Sequence, residues 1–482
     1  MPTRRIHHKT RLTREVDEPP AKPAGARTAA LRVLADLRQK HRTARAAIDA
    51  VISRYSLSSR ELALTTELVM GIIRHRLTLT RVLSVSANCD WRRIKWPIQH
   101  VLMLGAYQLI WLDGIPTFAA VNEAVEQAKT NGGLPAGRLV NAVLRQLLRD
   151  IEHRRLPSSE ADPTRAIPID GRVSCQFKRP ILPDATDNPI QHLAWSTSHP
   201  VELVTRWVKA LGLEPARQLC HAGIVRPPTS LRPNGLRTDL NGLIDRLRQE
   251  GVDATPSPCG RAVIVDHAAS VIQTRAFADG WFQPQDRTAM QAVEQMDLVP
   301  GQVVLDLCAG LGTKATQMAE VMKNAGTILA CDKDMTKLEQ LTANCRRLGH
   351  TIVKTISLSE LEDVVSAVSQ LDWILIDVPC SNSGVLARRP EARYRFHQRV
   401  LKTLATKQLA LLTRAAQLAG DQTRLLYATC SIDPEENERV CADFETSNAN
   451  WKLVAKQRVL PAAGESAAHW QDGGFWASWA HK

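Results

Sequence analysis

From residue 300 onward the chain alternates short apolar runs with longer stretches of helical periodicity. This alternation constrains the fold more than any other feature. The runs fall at 303–307, 328–331, 373–376 and 425–427 and are apolar nearly throughout. A strand with one wet face alternates polar and apolar residues; a continuous apolar run belongs to a strand covered on both faces. Parallel strands with helices on either side meet that condition. Residues 291–482 are therefore read as a Rossmann-like, doubly wound α/β domain.

The residues before 291 read differently. Residues 27–152 carry helical periodicity. After Pro97, which suits a first helical turn, Ile98, Val101, Leu102, Gly105, Leu109 and Leu112 share one face. A further helix runs through Val121, Val125 and Ala128. A Gly-Gly-Leu-Pro turn at 132–135 separates it from a last helix with Val140, Val143, Leu144 and Leu147. Short connections favour an antiparallel bundle, so this region is expected to be an all-α domain. Prolines recur at positions 157, 163, 168, 180, 183 and 189, and 153–195 reads as a linker or insertion, mobile in part. Residues 196–290 read as a small α+β subdomain. Residues 1–26 read as a basic, disordered leader.

A chain of 482 residues is long for one core, and its 44% hydrophobic content supports two or three. The net charge of +13 favours a polyanionic partner over a mere surplus kept for solubility. None of the 10 cysteines forms a C-x-x-C pair or a zinc-spaced cluster with histidine, so no metal site is expected. Their place in apolar runs suits a reducing compartment. The N-terminus has no apolar core, and no apolar run reaches the roughly 18 residues a membrane span needs. A cytoplasmic protein without membrane contact is expected; a monomer is compatible with everything above.

Three segments carry chemistry. The first is 304–314, Val-Leu-Asp-Leu-Cys-Ala-Gly-Leu-Gly-Thr-Lys, where a strand ends in a glycine turn that opens a helix. Such a turn aims backbone N–H groups at a ligand. Asp332, at the end of the next strand, suits the ribose hydroxyls of a nucleoside cofactor. With Ala315 in place of the last glycine the turn fits the dinucleotide fingerprint poorly, which leaves an adenosyl cofactor open. The second segment, Asp377-Val-Pro-Cys380-Ser-Asn-Ser-Gly384, follows an apolar strand. So does the third, which runs from Tyr427 through Cys430 to Glu436. One cysteine at a strand end is most often packing. Two in one sheet, one of them beside a carboxylate, point to chemistry. A thiolate that adds to C6 of cytosine makes C5 nucleophilic, a carboxylate near N3 steadies the adduct, and a second thiol can assist release.

These segments resemble the RsmB (Sun) branch of the RNA 5-methylcytosine methyltransferases, the NOL1/NOP2/Sun group. Asp-x-Pro-Cys followed by Thr-Cys-Ser is its signal for RNA rather than DNA. The likeness extends upstream: 119–129 and 140–145 resemble the group's NusB-like helical RNA-binding domain. Segments 231–234 and 280–286 resemble those leading into its catalytic domain, and 472–475 resembles its final hairpin. The resemblance implies S-adenosylmethionine as cofactor and small-subunit ribosomal RNA as substrate. It makes Cys430 the nucleophile and Cys380 the helper in release, with Asp377 at the cytosine and the cofactor. Cys308, Ala309, Gly310, Leu311, Gly312, Thr313 and Lys314 would line the cofactor, and Asp332 would hold its ribose. Arg388, Arg389, Arg393 and Arg395 are candidates for phosphate contact beside the base pocket.

The chain departs from the group's pattern at four positions. Leu311 stands for a proline, Thr313 for a glycine, Ser357 for an acidic residue and Asn382 for a Gly or Ala. A β-branched residue at 313 is strained if that position takes a positive φ. An alternative reading keeps the fold but makes the chain a non-catalytic RNA-binding or ribosome-assembly protein with a degenerate cofactor site. Transfer RNA is the other substrate left open.

Overall fold

The structure, a computed structural model, describes residues 25–39, 43–266 and 271–482. The basic leader expected over 1–26 lies outside them, but for Gly25 and Ala26. The chain divides after Val69 into two compact units.

In the first unit, α1 (Ala26–Gln39) packs on α2 (Ala44–Ile52), burying Ala29, Ala30, Val33, Ala47 and Ile48. The start of α3 (Ser59–Arg74) carries reciprocal caps. The Ser58 N–H donates to Glu61 at 3.0 Å, and the Glu61 N–H donates to the Ser58 hydroxyl at 3.3 Å.

The second unit holds the rest of α3, then α4 (Arg76–Ala87), α5 (Trp96–Trp111) and α6 (Thr117–Asp150). Pro97 lies in the first turn of α5, where its spacing put it. Residues 101–110 of α5 are all buried, so this helix is covered all round rather than along one face. Gly105 lets α6 come close: a Cβ there would stand 2.5 Å from Leu144. The turn expected at 132–135 is a kink inside α6, where Gly133 takes φ 73° and ψ −175° and both arms stay helical.

The proline-rich segment is more ordered than its composition suggests. Strands β1 (Ile151–Pro157), β2 (Ala166–Pro168) and β3 (Val173–Phe177) form an antiparallel sheet in the order β1-β3-β2. Its prolines avoid positions that need an N–H. Pro157 and Pro168 end strands, and Pro189 opens α7 (Pro189–Ser196). Helices α8 (Val201–Leu211) and α9 (Leu213–Ile224) follow. A second antiparallel sheet, β5-β6-β4-β7, comprises β4 (Thr229–Pro233), β5 (Thr255–Pro256), β6 (Val263–Val265) and β7 (Phe282–Pro284). Helix α10 (Leu240–Gln249) buries Leu243, Ile244 and Leu247 in the core of this sheet, and α11 (Arg275–Ala278) and α12 (Arg287–Glu294) lead onward.

The third sheet has seven strands in the order β10-β9-β8-β11-β12-β14-β13. They are β8 (Val303–Asp306), β9 (Thr327–Asp332), β10 (Val353–Ser357), β11 (Trp373–Asp377), β12 (Arg424–Thr429), β13 (Trp451–Val459) and β14 (Gly474–His481). The first five in that order pair in parallel; β14 pairs antiparallel with both β12 and β13. Helices α13 (Thr313–Val321), α14 (Met335–Leu348), α15 (Leu361–Ser366), α16 (Gln398–Leu418) and α17 (Glu438–Ser447) connect them. Successive residues feed two separate cores. Leu305, Ile374, Ile376, Leu425 and Tyr427 enter one; Val304, Leu375, Leu426 and Ala428 enter the other. That is why these runs are apolar without alternation. Strand order reverses between β8 and β11, and in such sheets ligands bind outside the carboxyl ends at that point.

Candidate active site

Cys380 and Cys430 come from loops after the neighbouring strands β11 and β12, and their sulfurs lie 3.0 Å apart. Both loops hang on one buried carboxylate. Glu436 accepts from the Ser381 N–H at 2.9 Å, from Gln408 at 2.9 Å and from the Ser431 hydroxyl at 2.5 Å. Gln408, on α16, also donates to the Pro379 carbonyl at 2.9 Å. Gly384 closes the arrangement: its N–H donates to the Cys430 carbonyl at 3.0 Å, and its own carbonyl accepts from Gly473 at 2.7 Å. Burial pushes the Glu436 carboxyl up against the pull of these donors.

The two thiols are not equivalent. The hydrogen bond between them raises Cys380 well above the usual thiol range, and burial adds to that. The same bond lowers Cys430; Arg389 and Lys314 assist, while burial and Asp377 oppose. Lys314 Nζ meets Asp377 Oδ2 at 2.5 Å. Burial works against the Lys314 charge, but Asp377 outweighs it and holds the ammonium above its ordinary range.

On the side of β8 and β9, Asp332 is fixed by two N–H donors, Gly310 and Asp334, each at 2.9 Å. The turn spends glycine where glycine is needed. Gly310 and Gly312 take φ 57° and 79°, whereas Thr313 is the first residue of α13 and is not among the positive-φ residues. The strain foreseen at Thr313 is therefore absent. Leu311 points outward, 51% exposed. Burial and the Asp377 charge push the Asp306 carboxyl up to about 7. Asp306 Oδ1 is buried without a hydrogen-bond partner among the described residues.

The four arginines proposed for phosphate contact part company. Arg393 is 1% exposed and donates to the carbonyls of Arg74, Thr197, Ser198, Gly223 and Leu386, which leaves no face for a phosphate. Arg388 is engaged by Asp472 and, at 3.3 Å, by Asp286. Between them these carboxylates crowd: burial first, then Asp472, pushes Asp286 up to about 6. Arg389 and Arg395 are exposed.

Three residues here were passed over in the sequence. Asp306 is the acid that ends an apolar strand just before the glycine turn, a signal open to reading. Glu436 sits inside a segment already singled out, but its role depends on a loop more than fifty residues away. Asn382 stands where a Gly or Ala is expected; φ 62° at that position suits Gly and is tolerated by Asn, but gives no reason for Ala.

The fold is a doubly wound α/β sheet with two cysteines, Lys314 and Asp377 gathered past the carboxyl ends of adjacent strands, the frame of a methyltransferase-like enzyme. Residues 293–469 match the model of the 16S rRNA methyltransferase RsmB/F family, 24–149 that of the NusB family, and 199–272 that of the RsmF/B-like ferredoxin-like domain. The probable ribosomal RNA small subunit methyltransferase B of Bacillus subtilis (strain 168) is 31% identical over 425 residues, 88% of each chain. Its counterpart in Synechocystis (strain PCC 6803) is 28% identical, covering 94% of this chain and 98% of that one. The crystal structure of PH0851 shares the fold with a TM-score of 0.72, at 21% identity over 97% of this chain and 100% of that one. The chain belongs to the RsmB/F family of rRNA methyltransferases. It is thus a transferase acting on RNA cytosine, with S-adenosylmethionine as methyl donor. The residues present suit that donor: Asp332 offers a carboxylate held by two backbone N–H groups at the end of β9, and Asp306 Oδ1 is a buried acceptor with no partner among the described residues. Among the described residues no helix is long and apolar enough to cross a membrane.

Proposed function

We propose that the chain methylates carbon 5 of a cytosine in small-subunit ribosomal RNA, in the cytoplasm, through a covalent bond between Cys430 Sγ and C6. The observation that carries this reading is the unequal thiol pair, sulfurs 3.0 Å apart beside Lys314 and Asp377. Cys430, the thiol held lower, supplies the electron pair that bonds to C6, and the C5–C6 π electrons become available at C5. Asp377 accepts from the exocyclic amine and shares a proton with N3, which neutralises the negative charge that builds there. When bound, S-adenosylmethionine supplies an electrophilic methyl group. Its ribose would lie against Asp332, its reacting end toward Lys314, and the turn from Cys308 to Lys314 through Ala309, Gly310, Leu311, Gly312 and Thr313 would line it. Once C5 carries the methyl group, a base or solvent takes the C5 proton, the electron pair of the C5–H bond re-forms the C5–C6 double bond, and the S–C6 bond breaks; Cys430 leaves as the thiolate, to which the Cys380 S–H donates a hydrogen bond. Arg389 and Arg395 are placed to meet phosphates of an RNA whose target base is turned out of its stack.

The test is transfer of labelled methyl to unmodified small-subunit rRNA, with base analysis of the product. Cys430→Ala should abolish transfer while S-adenosylmethionine still binds by calorimetry. Cys380→Ala should accumulate a protein–RNA adduct stable to denaturation. Full activity of Cys430→Ala would overturn the assignment. Methylation of transfer RNA instead would move the substrate and keep the chemistry.

A further inference from the structure

Asn382 touches both thiol segments. Its Nδ2 donates to the Cys380 carbonyl at 2.9 Å, and its Oδ1 accepts from the Cys430 thiol at 3.3 Å. The first bond fixes the second. Turning the carboxamide over would set Oδ1 against a carbonyl oxygen, an acceptor against an acceptor. Asn382 therefore presents an acceptor to the sulfur of Cys430. An acceptor steadies S–H and repels S⁻. Cys380, 3.0 Å away, can act in the opposite sense as a donor. The charges that reach this sulfur are those of Arg389 and Lys314, which favour thiolate, and Asp377, which opposes it. Glu436, the other acid nearby, bears on Cys380. Asn382 is thus the uncharged group set against the donors around the nucleophile. It reaches that place because Asn, unlike most residues with a side chain, accepts the left-handed backbone found there, φ 62° and ψ 24°.

We propose that Asn382 is a positioning residue that holds Cys430 as the neutral thiol in the resting enzyme and so sets the pH at which the sulfur becomes reactive. The inference rests on the reading of Cys430 as nucleophile for its meaning, but not for its measurement. A neutral thiol is the form least open to electrophiles and oxidants, which matters for a sulfur in contact with a second one.

The experiment is alkylation of Cys430 by iodoacetamide in the full chain, without cofactor or RNA. The modified peptide is followed by mass spectrometry from pH 5 to 10. Asn382→Gly keeps the backbone conformation and removes the acceptor. Its midpoint should fall by about half a unit to one unit, the scale of one weak hydrogen bond, with several-fold faster alkylation near neutral pH. Asn382→Asp keeps the acceptor and adds charge, and its midpoint should rise above that of the parent chain. An Asn382→Gly midpoint equal to the parent's, or higher, would overturn the proposal. So would Asn382→Ala separating from Asn382→Gly in midpoint: both lack the acceptor, and only Ala strains the turn. Because methyl transfer is not read, failure of this proposal stays distinct from failure of Cys430 as nucleophile, which Cys430→Ala reports.

Discussion

Asp306 and Glu436 are buried acids whose carboxyls burial pushes up, Asp306 to about 7. A group whose folded pKa exceeds its unfolded value stabilises most fully below the unfolded pKa. That contribution is lost as pH rises through the folded value. For Asp306 the window runs from the ordinary carboxylate range up to about 7. Asp306→Asn should therefore gain on the parent chain as pH rises, by up to a few kcal/mol between pH 4 and 8. Denaturant unfolding across that range, without cofactor, checks this; a gap independent of pH would contradict it. Glu436 differs in being spent on donors. Glu436→Gln turns one accepted bond into a clash of donors and should cost about 1–3 kcal/mol of stability. As the two thiols lose register, methyl transfer should fall tenfold or more. Unfolding and kcat measured on the same variant check both.

At the scale of elements, the loops after β11 and β12 meet because Gly384 has no side chain. A Cβ there would stand 2.6 Å from the backbone of Gly473 and 2.8 Å from the Cys430 carbonyl, and backbone does not yield as a flexible side chain does. Gly384→Ala should cost about 1–3 kcal/mol, as overpacking does. It should also uncouple the thiols: oxidative cross-linking of Cys380 to Cys430 should slow markedly, as peptide mapping would read. The left-handed positions of the glycine turn illustrate the same point. The motif with its glycines was legible in the sequence, but which positions carry positive φ was not. That depends on where β8 stops and α13 begins, a boundary that moves by a residue or two without changing the pattern.

Across the molecule, Arg393 binds segments far apart in the chain, since its carbonyl partners run from Arg74 to Leu386. Burial holds its guanidinium down to about 10, still charged at neutral pH. Arg393→Met leaves buried carbonyls without donors, each worth about 1–3 kcal/mol, and should lower the melting temperature by many degrees. Its RNA affinity, measured well below that temperature, should keep its salt dependence. Arg389→Ala and Arg395→Ala should do the reverse, leaving stability nearly intact while each lowers the slope of log affinity against log salt by about 0.7 to 0.9. Filter binding from low to moderate salt separates the two classes.

The sequence alone determined the doubly wound class, the helical region before it, and the two cysteines at strand ends beside Asp377. Each is a local pattern, periodicity or the end of an apolar run, and local patterns are written in consecutive residues. It points to a linker, mobile in part, where the proline-rich segment forms a sheet, and it leaves undetermined which arginines face water and what holds the thiols. Arg388, Arg389, Arg393 and Arg395 are alike in a run of basic residues. Only the packing of distant carbonyls buries Arg393, and only carboxylates far along the chain engage Arg388, while the other two stay exposed. The prolines at 157, 168 and 189 look like breakers until strand pairing shows them at positions that need no donor. The 3.0 Å contact between Cys380 and Cys430 joins residues fifty apart. Tertiary structure decided it, because the chain makes a helical crossover between β11 and β12, and only their parallel pairing brings the two loops side by side.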